Sequence, residues 1–331
     1  MDTLLYKQVE ETIRKYELLQ KGDRVLVGVS GGPDSVFLLH ALCHIKEKIG
    51  FEIFVANMDH GARGAASRED SEFVKRLSKS LALKYIHKKL TLSKKDTAKR
   101  LSTEEMFREK RYGFFKDSAA KLRANVLATG HTMDDQAETV LMRVVKGATM
   151  KGLTGILPRR MEGTITVIRP LIETEKDQIL SFLKESGIPF CHDHTNSDEK
   201  FFRNAVRLKI MPYLLKYNPR LKRSLCLMAE SLREDRVFID EEKKRRDLIR
   251  KTGAYVSIKL KDIVIQPKTL QREILRDAMI RSGGSIKKLT YRHWKDMDNF
   301  LRFKRKGQSM DLPGGIIMKR GEDVISLRAR H

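Results

Sequence analysis

The first half of the chain alternates short apolar runs with segments of helical periodicity. Three runs rich in β-branched residues, 24–29, 51–57 and 125–129, are typical of strands that are buried on both faces. Apolar residues recur near a 3.6-residue period in the neighbouring segments 35–48, 67–81 and 103–122. Such an alternation predicts a parallel sheet covered by helices, with ligands at the carboxyl ends of the strands. We therefore expect an α/β fold.

The second half of the chain has a different texture. A strand-like run at 166–171 precedes a helical pattern at 175–186, and segment 221–251 reads as one long charged helix. The patterns beyond it predict a strand from Tyr255, helices over 270–281 and 291–303, and strands over 309–312, 315–319 and 324–327. We expect an α/β domain over 1–215, a helical connector over 216–250 and a small α+β domain over 251–331.

Charge changes this picture more than overall composition does. Hydrophobic residues make up 40% of the chain and charged residues 33%, which excludes a largely disordered, collagenous or disulfide-stapled protein. Lys and Arg outnumber Asp and Glu by 67 to 43, and residues 201–331 hold 33 of the basic and 15 of the acidic side chains. That part therefore carries +18 of the net +24, which suggests a polyanionic partner. The alternative is a solvated, solubilising surface.

The cysteines and the apolar runs limit the kinds of metal site, disulfide and membrane association that the chain can have. Cys43, Cys191 and Cys226 form no CxxC pair, so a zinc knuckle, an iron–sulfur site and a disulfide framework all lose support. No apolar run is long enough to span a membrane. We expect a cytoplasmic protein with no membrane association and no prosthetic group.

One loop carries the clearest chemical signal. Directly after the first strand stand Ser30, Gly31, Gly32, Pro33, Asp34 and Ser35, followed by a helical segment. The glycine pair lets backbone N–H groups approach an anion, and the helix N-terminus adds partial positive charge, so the loop predicts a phosphate cradle. Asp34 suits a magnesium ion beside the phosphates. Neither G-x-x-x-x-G-K-[ST] nor G-x-G-x-x-G is present. The alternative is a plain turn with Ser35 as helix cap.

This loop resembles the pyrophosphate loop of the N-type ATP pyrophosphatases, which cleave ATP between the α and β phosphates. Further motifs occur in a characteristic order: Asn57–Arg63 (NMDHGAR), Glu105-x-x-Arg108-x-x-Arg111-Tyr112, Thr129–Thr139 (TGHTMDDQAET), Arg169-Pro170-Leu171, Asp193-x-x-Asn196 and Arg203-Asn204-x-x-Arg207. Together they resemble the tRNA(Ile)-lysidine synthetase family over essentially the whole chain. Ala62 departs from the family's usual leucine, which affects packing more than chemistry. The resemblance implies a Rossmann-like ATP pyrophosphatase domain over 1–215.

The resemblance also implies a reaction. ATP would adenylate the C2 oxygen of the wobble cytidine in the CAU anticodon of tRNA(Ile) and release pyrophosphate. Free L-lysine would then displace AMP to form lysidine, which converts AUG decoding to AUA decoding. The implied cofactors are ATP and Mg²⁺, and the implied partners are tRNA(Ile) and L-lysine. The oligomeric state stays open, with a homodimer among the alternatives.

Site residues follow from the motifs. We expect Ser30–Ser35, His60, Arg63 and His131 at ATP, and Asp34, Asp135, Arg203 and Arg207 in catalysis. Asp34 and Asp135 are the candidates for magnesium. Glu105, Arg108, Arg111, Asp134 and Glu138 are candidates for the lysine or nucleotide site. Asp135 is our choice for holding the lysine ammonium and taking its proton, with Asp134 and Glu138 as alternatives, and its assignment to metal or to lysine stays open.

Each of these assignments has a plainer alternative. Asp134 and Asp135 could cap a helix. Glu105, Arg108 and Arg111 could form an exposed salt-bridged face. Arg203 and Arg207, four residues apart on a predicted helix, suit phosphates but could be simple surface charge, as could His60 and Arg63.

The basic C-terminal part is expected to bind tRNA. The candidate residues are Lys243, Lys244, Arg245, Arg246, Lys287, Lys288, Arg292, Arg302, Lys304, Arg305 and Lys306. Trp294 interleaves with them, although a core position is the more common role for such a residue.

Three other functions compete. A tRNA thiolase also adenylates a cytidine, but those enzymes generally carry paired cysteines. An amidotransferase-type member such as a GMP synthetase has no need of the basic tail. A non-catalytic RNA-binding protein with a dead nucleotide fold is disfavoured because Ser30, Asp34 and Asp135 are intact.

Overall fold

The computed structural model describes residues 4–59, 65–90, 103–191, 202–286 and 288–330, with the side chains of 65–67 and 103–105 left out. The chain divides into an N-terminal unit, Met1–Leu232, and a C-terminal unit, Arg233–His331. Within the described ranges, every helix is too short or too polar to cross a lipid bilayer.

The N-terminal unit alternates strands and helices as the hydrophobic pattern predicts. Its elements are α1 (Leu4–Lys15), β1 (Arg24–Gly28), α2 (Pro33–Ile49), β2 (Glu52–Asp59), α3 (Ala65–Ser80), β3 (Lys84–Lys89), α4 (Thr103–Leu122), β4 (Val126–Ala128), α5 (Met133–Val145), α6 (Met150–Leu153), β5 (Arg159–Glu162), β6 (Ile165–Ile168), α7 (Lys176–Glu185), α8 (Phe202–Ala205), a π-helical turn (Val206–Ile210) and α9 (Met211–Leu215). The long helix α10 (Leu221–Arg246) begins in this unit and ends in the next.

These strands form one six-stranded sheet in the order β3-β2-β1-β4-β6-β5. All neighbours are parallel except β5, which runs antiparallel to β6. The chain moves outward from β1 first to one side and then to the other, so the strand order reverses between β1 and β4. Ligands of such sheets bind at the carboxyl ends of the strands beside this reversal. The expected α/β fold with a parallel sheet is confirmed.

The apolar run of β1 is buried on both faces of the sheet. Val25 and Val27 pack in a core with α1, α2 and α7, whereas Leu26 packs on the opposite face against Phe114 and Phe115 of α4. Such double burial explains why the sequence shows a continuous apolar run instead of an apolar–polar alternation.

The C-terminal unit contains a second sheet. Its elements after α10 are β7 (Ile249–Thr252), β8 (Tyr255–Lys259), α11 (Leu260–Val264), α12 (Lys268–Arg281), α13 (Tyr291–Phe303), β9 (Ser309–Leu312), β10 (Ile316–Arg320) and β11 (Val324–Ala329). The strands form an antiparallel sheet in the order β7-β8-β11-β10-β9. Its core includes Trp294, which is 6% exposed, so the core position considered for this residue is the one observed.

The structure corrects one expected element and adds an edge strand that the hydrophobic pattern did not predict. The helix predicted over 221–251 ends at Arg246 because Asp247 adopts a left-handed backbone conformation with φ of 40°, and β7 follows. The strand β3 was missed, since its sequence KYIHKK is polar and exposed as befits the edge of the sheet.

Candidate active site

The loop between β1 and α2 is held by its own serines. The Ser30 backbone N–H donates to Ser35 Oγ at 3.1 Å, and the Ser35 hydroxyl donates to the Gly32 carbonyl at 2.9 Å. Gly31 has φ of +96°, a conformation that side chains with a Cβ rarely adopt. The turn therefore opens directly into the N-terminus of the 17-residue helix α2, where backbone N–H groups suit an anion.

A second loop, between β4 and α5, packs directly against the first. A Cβ added to Gly130 would lie 3.2 Å from the Asp34 carbonyl carbon and 3.3 Å from the Ser35 nitrogen. Only glycine allows this approach without displacing one of the loops. The contact brings the motif of Thr129–Thr139 to the phosphate loop at the reversal between β1 and β4.

Asp135 divides its two carboxylate oxygens between two tasks. Oδ2 accepts hydrogen bonds from the Thr132 N–H and the Thr132 hydroxyl, both at 3.0 Å, which caps α5. Oδ1 faces Arg203 Nη2 at 2.8 Å and Arg207 Nη2 at 3.4 Å. The helix cap considered for Asp135 is thus confirmed, and the same carboxylate also anchors two arginines.

Glu138 completes this ion-pair cluster. Its Oε1 lies 2.6 Å from Arg207 Nε, and its Oε2 lies 3.1 Å from Arg203 Nε. The Glu138 side chain is only 5% exposed, whereas those of Arg203 and Arg207 are 33% and 26% exposed. Arg207 lies in the π-helical turn, a deviation that is frequent at functional sites. The guanidiniums of Arg203 and Arg207 are therefore partly exposed to solvent, whereas the carboxylate that holds them is buried.

Asp134, the neighbouring carboxylate, ties elements together. Its Oδ1 accepts from Lys222 Nζ at 2.5 Å, and its Oδ2 accepts from the Lys176 backbone N–H at 2.8 Å. These contacts join α5 to α7 and α10. Because both oxygens are engaged by protein donors, Asp134 is the less suitable of the two aspartates for a substrate amine.

Lys176 is a site residue that the sequence analysis missed. Its Nζ lies 3.6 Å from Asp34 Oδ2 and 3.7 Å from Asp135 Oδ1, so one ammonium lies between the two expected magnesium carboxylates. No motif marks it. The available signal was its position, since it is the first residue of α7 and follows β6 at the ligand edge of the sheet.

The surroundings shift the pKa values of Asp34 and Asp135 in opposite directions. Burial, joined by the charges of Asp135 and Asp134, raises the pKa of Asp34 to about 6 even though Lys176 lowers it. Burial also acts to raise the pKa of Asp135, but Lys176, Arg203 and a backbone hydrogen bond lower it to about 2. Asp135 is therefore ionised throughout the neutral pH range, whereas Asp34 gains or loses its proton near pH 6.

His131 is a neutral imidazole in this setting. Burial lowers its pKa to about 3, and the charges of Arg169, Arg111 and Arg203 act in the same direction. Its Nδ1 lies 3.0 Å from Thr129 Oγ1. His131 can therefore donate or accept a hydrogen bond but is a poor proton acceptor.

The carboxylates of Asp34 and Asp135 can supply some of the ligands of a magnesium ion. Asp34 and Asp135 both lie within 3.7 Å of the Lys176 ammonium, so a cation is already stabilised between them. Carboxylate oxygens are the ligands that Mg²⁺ prefers, together with substrate phosphates. Among the described residues, no three His, Cys, Asp or Glu side chains are grouped as a protein-only metal site. The residues fit an ion shared with a triphosphate.

The two candidate arginines of α4, Arg108 and Arg111, lie in different surroundings. Arg111 influences the pKa of His131, and Arg169, which is 2% exposed, does the same. Arg108 is exposed and lies 5.5 Å from the centre of the Tyr112 ring. The expected single face of this helix thus divides between the site and an adjoining surface.

Several expected residues lie outside the part of the chain that the structure describes. These are His60, Arg63, Asp193, Asn196, Lys287 and the side chain of Glu105.

Some candidate RNA contacts of the C-terminal unit pair with acidic side chains. Lys243, Arg245 and Arg246 pair with acidic neighbours of their own helix, and Lys306 lies 2.5 Å from Glu322 Oε2. The candidates exposed at the surface are Lys244, Arg245, Lys288, Arg292, Arg302, Lys304, Arg305 and Lys306. The exposed residues are the better placed for phosphates, and tRNA binding by any of them stays a prediction.

Comparison with known proteins agrees with this geometry. Residues 1–214 match the family model of the PP-loop domain. The chain is 32% identical over 328 residues to the tRNA(Ile)-lysidine synthase of Clostridioides difficile, covering 98% of this chain and 70% of that protein. It is 32% identical to the tRNA(Ile)-lysidine synthase of Geobacter sulfurreducens, covering 98% of this chain and 69% of that protein.

A solved structure shares the fold. A U34-tRNA thiolase from Methanococcus maripaludis superposes with a TM-score of 0.57 at 18% identity, over 69% of this chain and 78% of that one. The low identity makes this a likeness of fold alone. The two synthase relatives, the PP-loop match and the site between β1 and β4 lead to one conclusion: the chain is an ATP-binding ligase that belongs to the tRNA(Ile)-lysidine synthase family.

Proposed function

We propose that this chain uses ATP to adenylate the C2 oxygen of the wobble cytidine in the CAU anticodon of tRNA(Ile), and then joins the ε-amine of L-lysine to C2 with loss of AMP. The observation that carries the proposal is the meeting of two motifs at one edge of the sheet: the phosphate loop with Asp34, and the Asp135–Glu138 cluster with its arginines. The family membership of the chain supplies the substrate class.

The first step needs stabilisation of a pyrophosphate that leaves. Loop 30–35 and the N-terminus of α2 would hold its oxygens through backbone N–H groups. Arg203 and Arg207 would present charged N–H donors to the phosphates, because Asp135 and Glu138 hold the guanidiniums in place. Asp34, with Asp135 nearby, would hold the magnesium ion, which supplies neutralisation of the charge that develops on the phosphates.

The second step needs an amine that has lost its proton. The anionic Asp135 suits binding of the lysine ammonium, as its contact with Lys176 illustrates. Its pKa of about 2 makes it a weak proton acceptor, whereas Asp34, with a pKa of about 6, is much closer to the working pH. Once pyrophosphate has been released, Asp34 is the better candidate to take the proton. The two roles expected of Asp135 alone would then be divided between two aspartates.

The direct test is incorporation of labelled lysine. The full chain is incubated with ATP, labelled L-lysine and a tRNA(Ile) transcript with a CAU anticodon, and the label is located by nuclease digestion. We expect label at the wobble cytidine only. A transcript with a GAU anticodon is the matched control, since it lacks the cytidine. If the CAU transcript causes pyrophosphate release but no lysine enters the RNA, ligation of lysine is refuted and adenylation is still supported.

A further inference from the structure

A second cleft opens on the N-terminal unit beside α4 and β5. It has a volume of about 730 Å³, within the range of pockets that bind small ligands or single nucleotides. Five basic and three acidic side chains line it, which leaves an excess of positive charge. This excess favours an anionic occupant.

An aromatic ring between two guanidiniums lies in this cleft. The Cζ atoms of Arg108 and Arg160 each lie 5.5 Å from the centre of the Tyr112 ring. Tyrosine rings and guanidinium planes are the surfaces on which unstacked RNA bases stack. Arg108 is exposed and Tyr112 is half-buried, so the cluster is open from the cleft side.

Positive charge beside this ring exceeds what its partner can neutralise. Glu162 pairs with Arg160 at 2.7 Å and lies 3.7 Å from Lys116, so one carboxylate serves two cations. The Nε atom of Arg160, which lines the cleft, is buried and has no hydrogen-bond partner within the described ranges. Buried donors are nearly always satisfied, and an anion with several acceptor oxygens is the kind of ligand that satisfies an arginine.

The cleft is connected to the ATP site through Arg169. Tyr112 lies close enough to Arg169 to act on the pKa of that guanidinium, and the charge of Arg169 in turn acts on His131. A group bound on the Tyr112 ring would thus lie a short chain of contacts away from the reacting atoms.

We propose that this RNA cleft, defined by Arg108, Tyr112, Lys116 and Arg160, binds a nucleotide of the single-stranded anticodon loop next to the cytidine that reacts. The base stacks on the Tyr112–guanidinium cluster, and Lys116 and Arg160 contact a phosphate. The assignment rests on the proposed function, because that function makes the loop of a tRNA the substrate.

The test measures affinity for an anticodon stem–loop RNA and lysine incorporation into it, with the full chain. Lys116→Glu should weaken RNA binding about tenfold and make log Kd against log[salt] shallower by about 0.7, the loss of one single-strand phosphate contact. Lys79→Glu, an equal charge change at an exposed residue of α3, is the matched control and should stay within about twofold of the parent.

A second pair of variants separates base stacking from the interaction of the Tyr112 hydroxyl with Arg169. Tyr112→Ala should weaken RNA binding about 5- to 100-fold, the range for one stacked base. Tyr112→Phe keeps the ring and removes the hydroxyl, so it should retain most of the affinity. Loss of affinity in both variants alike would assign Tyr112 to positioning of Arg169 and overturn the stacking proposal. Unfolding midpoints of all variants identify those that simply fail to fold.

The remaining outcomes keep the two proposals apart. If Lys116→Glu and Tyr112→Ala match Lys79→Glu in RNA affinity and salt slope, the cleft does not bind RNA. A rise in the KM for ATP equal to that for RNA would place the ATP molecule in this cleft and would also overturn the proposal. If the parent chain incorporates no lysine, the proposed function fails, while the RNA affinities still test the cleft.

Discussion

The candidate active site of the N-terminal unit and the exposed basic surface of the C-terminal unit place their ionic side chains in opposite ways. At the site of the N-terminal unit the charges face one another: the Glu138 side chain is 5% exposed and contacts two arginines. On the surface of the C-terminal unit the candidate RNA contacts face solvent, as with Lys304 and Arg305. Buried pairs depend strongly on each partner, because loss of one leaves an uncompensated charge. Exposed cations are nearly independent and contribute little to stability.

The contrast teaches where specificity and where affinity should be sought. A site that reacts must hold a few groups at fixed positions, which the buried cluster does through paired contacts. A surface that holds a polyanion needs only an excess of positive charge, which can be spread over many residues. Substitutions should therefore act steeply and non-additively in the buried cluster of the site, and mildly and additively on the exposed basic surface of the C-terminal unit.

The largest effect is expected from Asp34→Asn. Lysine incorporation should fall at least about 100-fold, because the carboxylate that would hold the magnesium ion beside the leaving phosphates is lost. The free energy of unfolding at neutral pH should rise by about 1–3 kcal/mol, since the neutral amide avoids the burial of charge that raises the pKa of Asp34. Turnover assays and urea unfolding measure the two quantities. A variant that is both inactive and destabilised would show that Asp34 supports the loop structurally.

Glu138→Gln should mainly affect stability. Removing its charge leaves Arg203 and Arg207 with Asp135 alone, which we expect to lower the free energy of unfolding by about 2–4 kcal/mol. The control is Glu47→Gln, an 87% exposed residue of α2 that should change stability by less than about 0.5 kcal/mol. Equal unfolding midpoints for the two variants would contradict the dependence of the site on its buried pairs.

Through Asp34, activity and stability should respond to pH in opposite directions. Protonation of Asp34 should lower kcat/KM as pH falls below about 6. Its pKa is raised in the folded state, so the folded chain binds the proton more tightly and this group's contribution to stability decreases as pH rises from about 4 to 6. Asp135 acts in the opposite sense, because its pKa is lowered: its stabilising contribution is lost as pH falls from about 4 to 2. Unfolding of the parent and of Asp34→Asn across this range would reveal the difference, and identical pH curves would contradict it.

The smallest effect on stability is expected in the C-terminal unit. Lys304→Glu and Arg305→Glu should each change the free energy of unfolding by no more than about 0.5 kcal/mol, since both residues are exposed. Each should nevertheless weaken tRNA binding several-fold and reduce the salt slope by about 1. Filter binding across a salt series measures this. Unchanged slopes in both variants would remove these residues from the RNA surface and weaken the comparison between the units.

The sequence was sufficient for the parts of the fold that depend on local pattern. The apolar runs at β1, β2 and β4 predicted the centre of the sheet, because central strands are buried on both faces. The edge strand β3 was not predictable in this way, since its polar sequence lacks the apolar signal. The end of α10 also escaped prediction, because the residues beyond Arg246 are as charged as those before it and only the backbone of Asp247 marks the break.

The site was predictable where a motif carried it. Asp34, Asp135, Arg203 and Arg207 come together as the family resemblance implied, although 68 residues separate Asp135 from Arg203. Lys176 and Lys222 were not predictable, because a lone lysine in a basic chain gives no signal and only the folded geometry places them beside the aspartates. RNA binding by 243–246 stays a prediction, although a run of basic letters does not reveal the acidic partners that Lys243, Arg245 and Arg246 have one helical turn away.

The position of Lys176 between Asp34 and Asp135 gives the site a resident counter-ion. Any cation that a substrate brings to these carboxylates must exchange with an ammonium that is tethered to the chain. Binding there is a substitution of one positive charge for another, so its strength depends on how far the Lys176 side chain can withdraw. The same tether returns the ammonium when the product leaves, which makes the protein its own competitor for the site.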